Sequence, residues 1–415
     1  MTRPESWQSL LIGLDVATAA PAAPPGAVDA DHAAALTRAG IGEFLKAHRG
    51  GPVTVVVNDT HRMTDTRPFL AALLAAVDAT FTPGARPPLR MLVAAGTHKS
   101  DRFERAGHEE RMAAPFLKRF AEIAWHDCDD AANLSTIGGF EFHRWMGESS
   151  TFVGCGSTEP HYFAGVTGAH KTVTIGVMSR AGIQENHAQA MSKTAIGMKL
   201  DGNPIHAGVV KALAALEQNG ARFLVLNQVI VGGRVIGVTA GHPLAALADA
   251  VPLVRSCFTY GVDEPLDLIV ARVGSPLDRD LYQADKGIKN TEVAVRNGGV
   301  LLLEAECEKG VGIDHFVTLL RTAPSYVEAM MIVQQRGYRL GDHKAVKLRA
   351  LTDNRKVRIG VVSPHLDPDL ADVLGMRIFH DRADAAHWAR GQLASARARC
   401  LIVEDAGNLT LELRA

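Results

Sequence analysis

The sequence predicts an α/β fold, with two α/β domains, largely parallel sheets and an active site in the cleft between them. Three observations predict it. Short β-branched runs alternate with helical stretches along the chain. Polar clusters recur where those runs end, the edge of a parallel sheet at which ligands bind. A length of 415 residues exceeds what one ordinary core organises, so the chain divides, and small molecules commonly bind where domains meet.

The N-terminal stretch MTRPESWQSLLIGLDVATAAPAAPPGAVDA carries Glu5 and Asp15 and has no uninterrupted apolar run. It therefore reads as neither a signal peptide nor a membrane span. Its Ala/Pro part, TAAPAAPPGA, reads as an extended surface lead-in. Strands follow. VTVVV (53–57) runs into Asn58, Asp59, Thr60, His61 and Arg62. LRMLVAA (89–95) runs into Gly96, Thr97, His98 and Lys99, and AEIAW (121–125) into His126, Asp127, Cys128 and Asp129. The stretch 66–81 between the first two has helical spacing. FLVLNQVIVGGRVIGVTAG (223–241) reads as a hairpin about Gly232 and Gly233 that closes the first domain. The rhythm restarts at 268–274, 299–307, 357–363 and 399–405. The boundary is expected near residue 264, giving domains 1–264 and 265–415, with the last residues free to return to the first.

A net charge of -1 provides no field for nucleic acid or an anionic membrane, so the expected partner is a small molecule. Cysteines at 128, 155, 257, 307 and 400 form no CxxC pair, which argues against a zinc ribbon or a disulfide framework. The expected setting is the reducing cytoplasm; the oligomeric state is left open.

Seventeen histidines make any single one uninformative, and His61, His108, His206 and His242 read as satisfied structural groups. His98, His126 and His161 differ, because each sits at a strand end or glycine-rich turn. A neutral imidazole there exchanges protons near pH 7, and two of them can act on opposite faces of one carbon. Lys171 is flanked by small and apolar residues, and a desolvated lysine is a nucleophile or covalent anchor. His187 lies too far along for one helical face to relate the two. On the residues alone, a metal site, a Schiff-base site and coincidence all stay open for His161, Lys171 and His187. Tyr282, Gln283 and Lys286 in DLYQADKGIKNTE converge near a helix start, and Arg62 is a planar carboxylate or phosphate binder. The plain alternative for these is a solvated face with an ordinary ion pair. GDHKAVKLRA (341–350) reads as a helix start, with Asp342 at its positive end.

Together these pieces resemble the nickel-pincer lactate racemase family. The resemblance rests on NDTHR, AAGTHKS, WHDC, EPHYFAG…GAHKT, ENHAQ and YQADKG, in that order, across most of residues 55–310. It implies a covalent bond from Lys171 to a pyridinium-3,5-dithio mononucleotide carrying nickel. It implies nickel coordination by His187 beside sulfur, carbon and sulfur donors, a soft tetragonal set that suits Ni(II). Catalytic roles fall on His98 and His161, and Asp59 keeps the site or cofactor in order. By the same resemblance, Arg62, Tyr282, Gln283 and Lys286 would hold the substrate carboxylate. His126 lies in a family motif without an assigned role.

The activity so implied is racemisation or epimerisation at C2 of a 2-hydroxy acid, lactate or a relative, through hydride transfer and a 2-keto acid. Maturation would need the cofactor-synthesis enzymes. One departure stands out: the family's Gly-Gly-Arg-Lys is here Gly168, Ala169, His170, Lys171. His170 is expected to stand in for the arginine, and strict lactate specificity is not assured. Rival readings are a C2 epimerase of a longer or sugar-derived acid, a zinc hydrolase built from His98, His126 and His161, and a non-catalytic binding protein. The hydrolase lacks HExxH-type spacing.

Overall fold

Each β-branched run expected as a strand forms one. In the computed structural model, which describes residues 5–27 and 29–414, Val53–Asn58, Leu89–Ala94 and Glu122–Trp125 lie side by side in parallel. Thr151–Ser157 and then Arg222–Val231 extend this sheet from the other side of Val53–Asn58, also in parallel. Arg234–Gly241 closes it as an antiparallel edge, joined through Gly232 and Gly233.

Both faces of the sheet are covered, which is what near-continuous apolar strands require. Val53, Val55, Val57, Met91 and Val93 pack with Phe69, Leu70, Leu73 and Val77 of the helix Thr66–Thr80. The alternate residues Val56, Leu92 and Phe152 pack with Phe142, Trp145, Leu213 and Leu216 on the opposite face.

Thr151–Ser157, all seven residues of it buried, was not among the expected strands. Its glycines hide the pattern, and one of them is required by packing. A Cβ on Gly156 would stand 2.9 Å from the Ala169 nitrogen and 2.8 Å from Thr172 Oγ1. The missing side chain lets the short helix Ala169–Thr172 approach the strand.

The second sheet is parallel throughout, in the order Asp15–Ala19, Arg399–Val403, Leu266–Arg272, Val295–Glu304, Arg358–Val362, Arg377–Phe379. Its first strand corrects the expected division. The chain separates into one unit of Ala23–Cys257 and another of Phe258 onward together with the segment up to Ala22. Asp15–Ala19 pairs with Arg399–Val403, so the start of the supposed lead-in is a strand. The cause is apolar burial: Trp7 and Leu11 join Leu268, Val270, Val300 and Leu302 in one core. The chain end does not return to the first unit, because Thr410–Leu413 pairs with Thr259–Val262.

Among the described residues no helix is long and apolar enough to cross a membrane. All five cysteines are buried and unpaired.

Candidate active site

In the first unit, four neighbouring parallel strands each end in a cluster of polar residues. Val53–Asn58 delivers Asp59, His61 and Arg62; Leu89–Ala94 delivers His98; Glu122–Trp125 delivers His126; Thr151–Ser157 delivers Glu159 and His161. This is the carboxyl edge, where an open parallel sheet offers unoccupied space to a ligand.

Asp59 is buried, and its Oδ2 accepts hydrogen bonds from His98 Nδ1 at 2.8 Å and His61 Nδ1 at 3.0 Å. Burial alone would raise the Asp59 carboxyl. The His98 and His61 rings outweigh it and hold the group below the usual carboxylate range. The ionised carboxylate therefore keeps the proton of neutral His98 on Nδ1 and leaves the Nε2 lone pair free. Burial pushes His98 itself down, against the opposing pull of Asp59. The loop is pinned from behind, where Gly96 donates to the Gly176 carbonyl at 2.9 Å and His98 N–H to that of Ala95 at 2.9 Å.

His161 sits on a two-residue strand, Pro160–His161, paired with Gly165–Val166. Gly165 has φ +80°, and a Cβ there would lie 2.2 Å from the Lys199 carbonyl oxygen, so only glycine turns this hairpin without displacement. Ala164 N–H donates to His161 Nδ1 at 3.3 Å, which favours the Nε2–H tautomer of the neutral ring. Phe163 packs edge-on against both His161, at 4.4 Å between centroids, and His187, at 5.0 Å. It links the two histidines that the sequence left unrelated.

Lys171 is 9% exposed, and its Nζ makes no hydrogen bond or ion pair among the described residues. Burial and then the Arg62 charge push the amine down to about 7, against Glu159, so much of it is unprotonated at neutral pH. Arg62 Nη1 in turn donates to Glu159 Oε1 at 2.8 Å. His187 is pushed down to about 3 by burial and then by Lys171, against the Ile183 carbonyl, whose contact with the ring is too poor in geometry to satisfy the buried Nδ1. An unprotonated amine beside an orphaned imidazole nitrogen fits a covalently tethered, metal-bearing group.

Several expectations change here. His170 is fully buried, neither ring nitrogen has a hydrogen-bond partner, and its centroid is 5.7 Å from that of His206. Burial holds it well below the usual imidazole range, so it is neutral and does not replace an arginine's charge. His126 donates through Nε2–H to the Met178 carbonyl at 2.9 Å and packs edge-on to His143, a structural setting. His61, read as structural, instead belongs to the Asp59 cluster; its signal was its place in NDTHR beside Arg62. Glu159 was also missed, although it directly precedes the PH pair of its motif.

Among the described residues two groups bring three metal-type ligands together: Asp59, His61 and His98, and Asp127, Cys128 and Asp129. Neither contains His126 or His161, so the zinc set imagined from His98, His126 and His161 is not assembled. The second group is filled by cations, with Lys99 2.6 Å from Asp127 and 2.9 Å from Asp129, and Arg180 on Asp129.

In the second unit the helix Leu281–Thr291 starts off the carboxyl end of Leu266–Arg272. Asp280 caps it, accepting from Gln283 N–H at 2.7 Å. The helix is largely buried rather than solvated: Tyr282 packs edge-on to Phe316, while Gln283 and Lys286 remain half-buried. Asp342 begins its helix as expected and is held by both arms of Arg336 at 2.8 Å.

Fold and site together define an α/β protein with imidazoles and carboxylates on parallel strand ends and a buried amine on the short helix Ala169–Thr172. Residues 37–198 match the lactate racemase N-terminal domain and residues 263–406 the lactate racemase C-terminal domain. The chain belongs to the lactate racemase family. The lactate racemase of Thermoanaerobacterium thermosaccharolyticum is 27% identical over 298 residues, 69% of this chain and 67% of that protein. That of Lactiplantibacillus plantarum is 24% identical over 277 residues, 65% of this chain, and the match spans 63% of that relative, just under two thirds. The lactate racemase apoprotein structure from T. thermosaccharolyticum superposes with a TM-score of 0.77 at 20% identity, covering 98% of this chain and 96% of that one. A Thermotoga maritima protein gives 0.71 at 15% identity, covering 93% and 100%. At these identities the structural likeness concerns the fold.

Proposed function

We propose that this protein is an isomerase that inverts C2 of a 2-hydroxy acid, lactate or a close relative, with a nickel-pincer nucleotide tethered to Lys171. The observation that carries the reading is the buried amine of Lys171, lowered to about 7, in a chain of the lactate racemase family. His187 is the nickel ligand we assign, a buried imidazole held neutral and under the influence of the Lys171 amine.

The C2 hydrogen of such a substrate resists removal as a proton, because the neighbouring carboxylate is already anionic. The bound nucleotide supplies a reversible hydride acceptor, which turns the problem into a transient oxidation of C2 to a ketone. The chain's own residues then position the acid and move the hydroxyl proton. Arg62 takes the substrate carboxylate, and Tyr282, Gln283 and Lys286 are assigned to the same group by their motif. Glu159 holds one arm of Arg62, leaving the other donors of the fork for the ligand. His98 accepts the hydroxyl proton of one enantiomer at Nε2, with Asp59 fixing the tautomer. His161 is assigned the matching acid–base role for the mirror-image acid. With the carboxylate held as a pivot, the planar ketone presents either face.

The test is the intact mass of protein co-produced with the cofactor-synthesis enzymes, compared with Lys171→Ala. A nucleotide-sized increment absent from the variant is expected; an unmodified wild type would sink the cofactor assignment. A chiral assay across 2-hydroxy acids, longer and sugar-derived ones included, then finds the substrate. His98→Ala or His161→Ala should cost roughly two to four powers of ten in turnover, and near-normal racemisation by either would end the two-base scheme.

A further inference from the structure

Asp59 serves two imidazoles, and the proposed reaction uses only one. The rings of His61 and His98 are stacked, with centroids 3.9 Å apart and planes 27° from parallel. Both Nδ1 atoms donate to the same oxygen, Asp59 Oδ2, at 3.0 and 2.8 Å. The backbone N–H of His61 adds a bond to Oδ1 at 3.2 Å, so the residue is clamped to the carboxylate twice.

We infer that His61 is a positioning residue for His98, stacking on its ring and sharing its carboxylate so that His98 stays neutral, Nδ1-protonated and ready to act as a base. This rests on the reading of His98 as a base. The physical argument has two parts. A stacked neighbour fixes the plane of the ring, so Nε2 keeps one direction. The second imidazole on the same carboxylate also opposes a positive charge on the His98 ring in contact with it. The other charged groups facing the cluster do not offset this. Arg62 adds to the positive field on His98 and is itself tied to Glu159. Lys99 is turned to Asp127 and Asp129, and His108 faces the Asn58 carbonyl at 3.0 Å. Burial is the largest influence on His98, and His61 acts in the same direction.

The experiment follows deuterium exchange at histidine Cε1 by mass spectrometry from pH 5 to 9, on the full-length cofactor-free protein. It gives the titration midpoint of each ring and needs no turnover. His61→Phe keeps a flat ring on His98 and removes the competing donor. The His98 midpoint is expected to rise by about one pH unit, a tenfold gain in proton affinity. His61→Gln restores an N–H donor without a second titrating ring and should give an intermediate value. His108 is the control, expected at its wild-type midpoint in both variants. An unchanged His98 midpoint with His108 also unchanged overturns the inference. If His61→Phe loses the protected His108 value and so is unfolded, His61→Gln decides by the same comparison. A shifted midpoint in a protein that racemises nothing would remove the base role and leave the positioning intact.

Discussion

Arg62 donates to Glu159 across 2.8 Å, so the residue assigned to a substrate carboxylate already holds one of the protein's own. The contact uses only Nη1, and the guanidinium keeps its remaining donors for a ligand. Lysine, a point charge, cannot serve both carboxylates in this geometry. Arg62→Lys should therefore lower kcat/KM about ten- to a hundredfold, mostly through KM, the range for losing a charged hydrogen bond. Steady-state kinetics with an unchanged KM would free Arg62 of the assignment.

Asp59 is expected to act through His98 without touching substrate. An asparagine there offers an N–H toward Nδ1 and favours the wrong tautomer. Asp59→Asn should cut kcat by roughly two to four powers of ten while KM moves little, as when a buried aspartate orients a catalytic imidazole. A kcat within about threefold of wild type would show that orientation of His98 by Asp59 is not needed.

Lys171, the proposed cofactor anchor, should be a burden on the cofactor-free protein. Lys171 is pushed down to about 7 by burial first and Arg62 second, whereas an unfolded lysine titrates near its ordinary value. Between those two values the unfolded chain binds the extra proton, so stability falls as pH drops toward 7 and is level below it. Lys171→Met should then raise the melting temperature of the cofactor-free protein at pH 7, by up to about 4 kcal/mol of stability, with the gain shrinking toward pH 10. Calorimetry that finds the methionine variant less stable at pH 7 would contradict this.

His126 and His143 impose an acid limit. Burial, first in both cases, holds each down to about 4; the Met178 carbonyl opposes this at His126, and at His143 the His126 ring adds to it. The unfolded chain takes up these protons near the ordinary histidine value, so stability is full above about pH 6.5 and lost as pH falls from there toward 4. The urea midpoint should drop between pH 7 and pH 5, and His143→Phe should flatten the slope. A midpoint that does not change with pH would refute the buried-neutral account.

Much of the fold was legible because burial leaves a local signature. Val53–Asn58, Leu89–Ala94 and Leu266–Arg272 are apolar and β-branched enough to read as strands. Thr151–Ser157 was not, since Gly154 and Gly156 answer to the helix packed on them rather than to strand propensity. Asp15–Ala19 escaped for another reason: it is a sheet edge in an Ala/Pro-rich setting, and its partner begins at Arg399. The burial of Lys171 was readable from its small and apolar neighbours. The neutrality of His170 was not, because it depends on His206 and the surrounding core.

What the sequence by itself determined is where the polar clusters fall along the chain. Strand propensity ends at Asn58, Ala94 and Trp125, and polar residues begin there. Tertiary structure alone decided which of them meet. Asp59 finds His98 at a separation of 39 residues and Arg62 finds Glu159 at 97. The physical reason is strand order: Val53–Asn58 lies between Leu89–Ala94 and Thr151–Ser157, so its end faces the ends of both neighbours. No local pattern encodes that adjacency, and the partners of Asp59 and Arg62 follow from it.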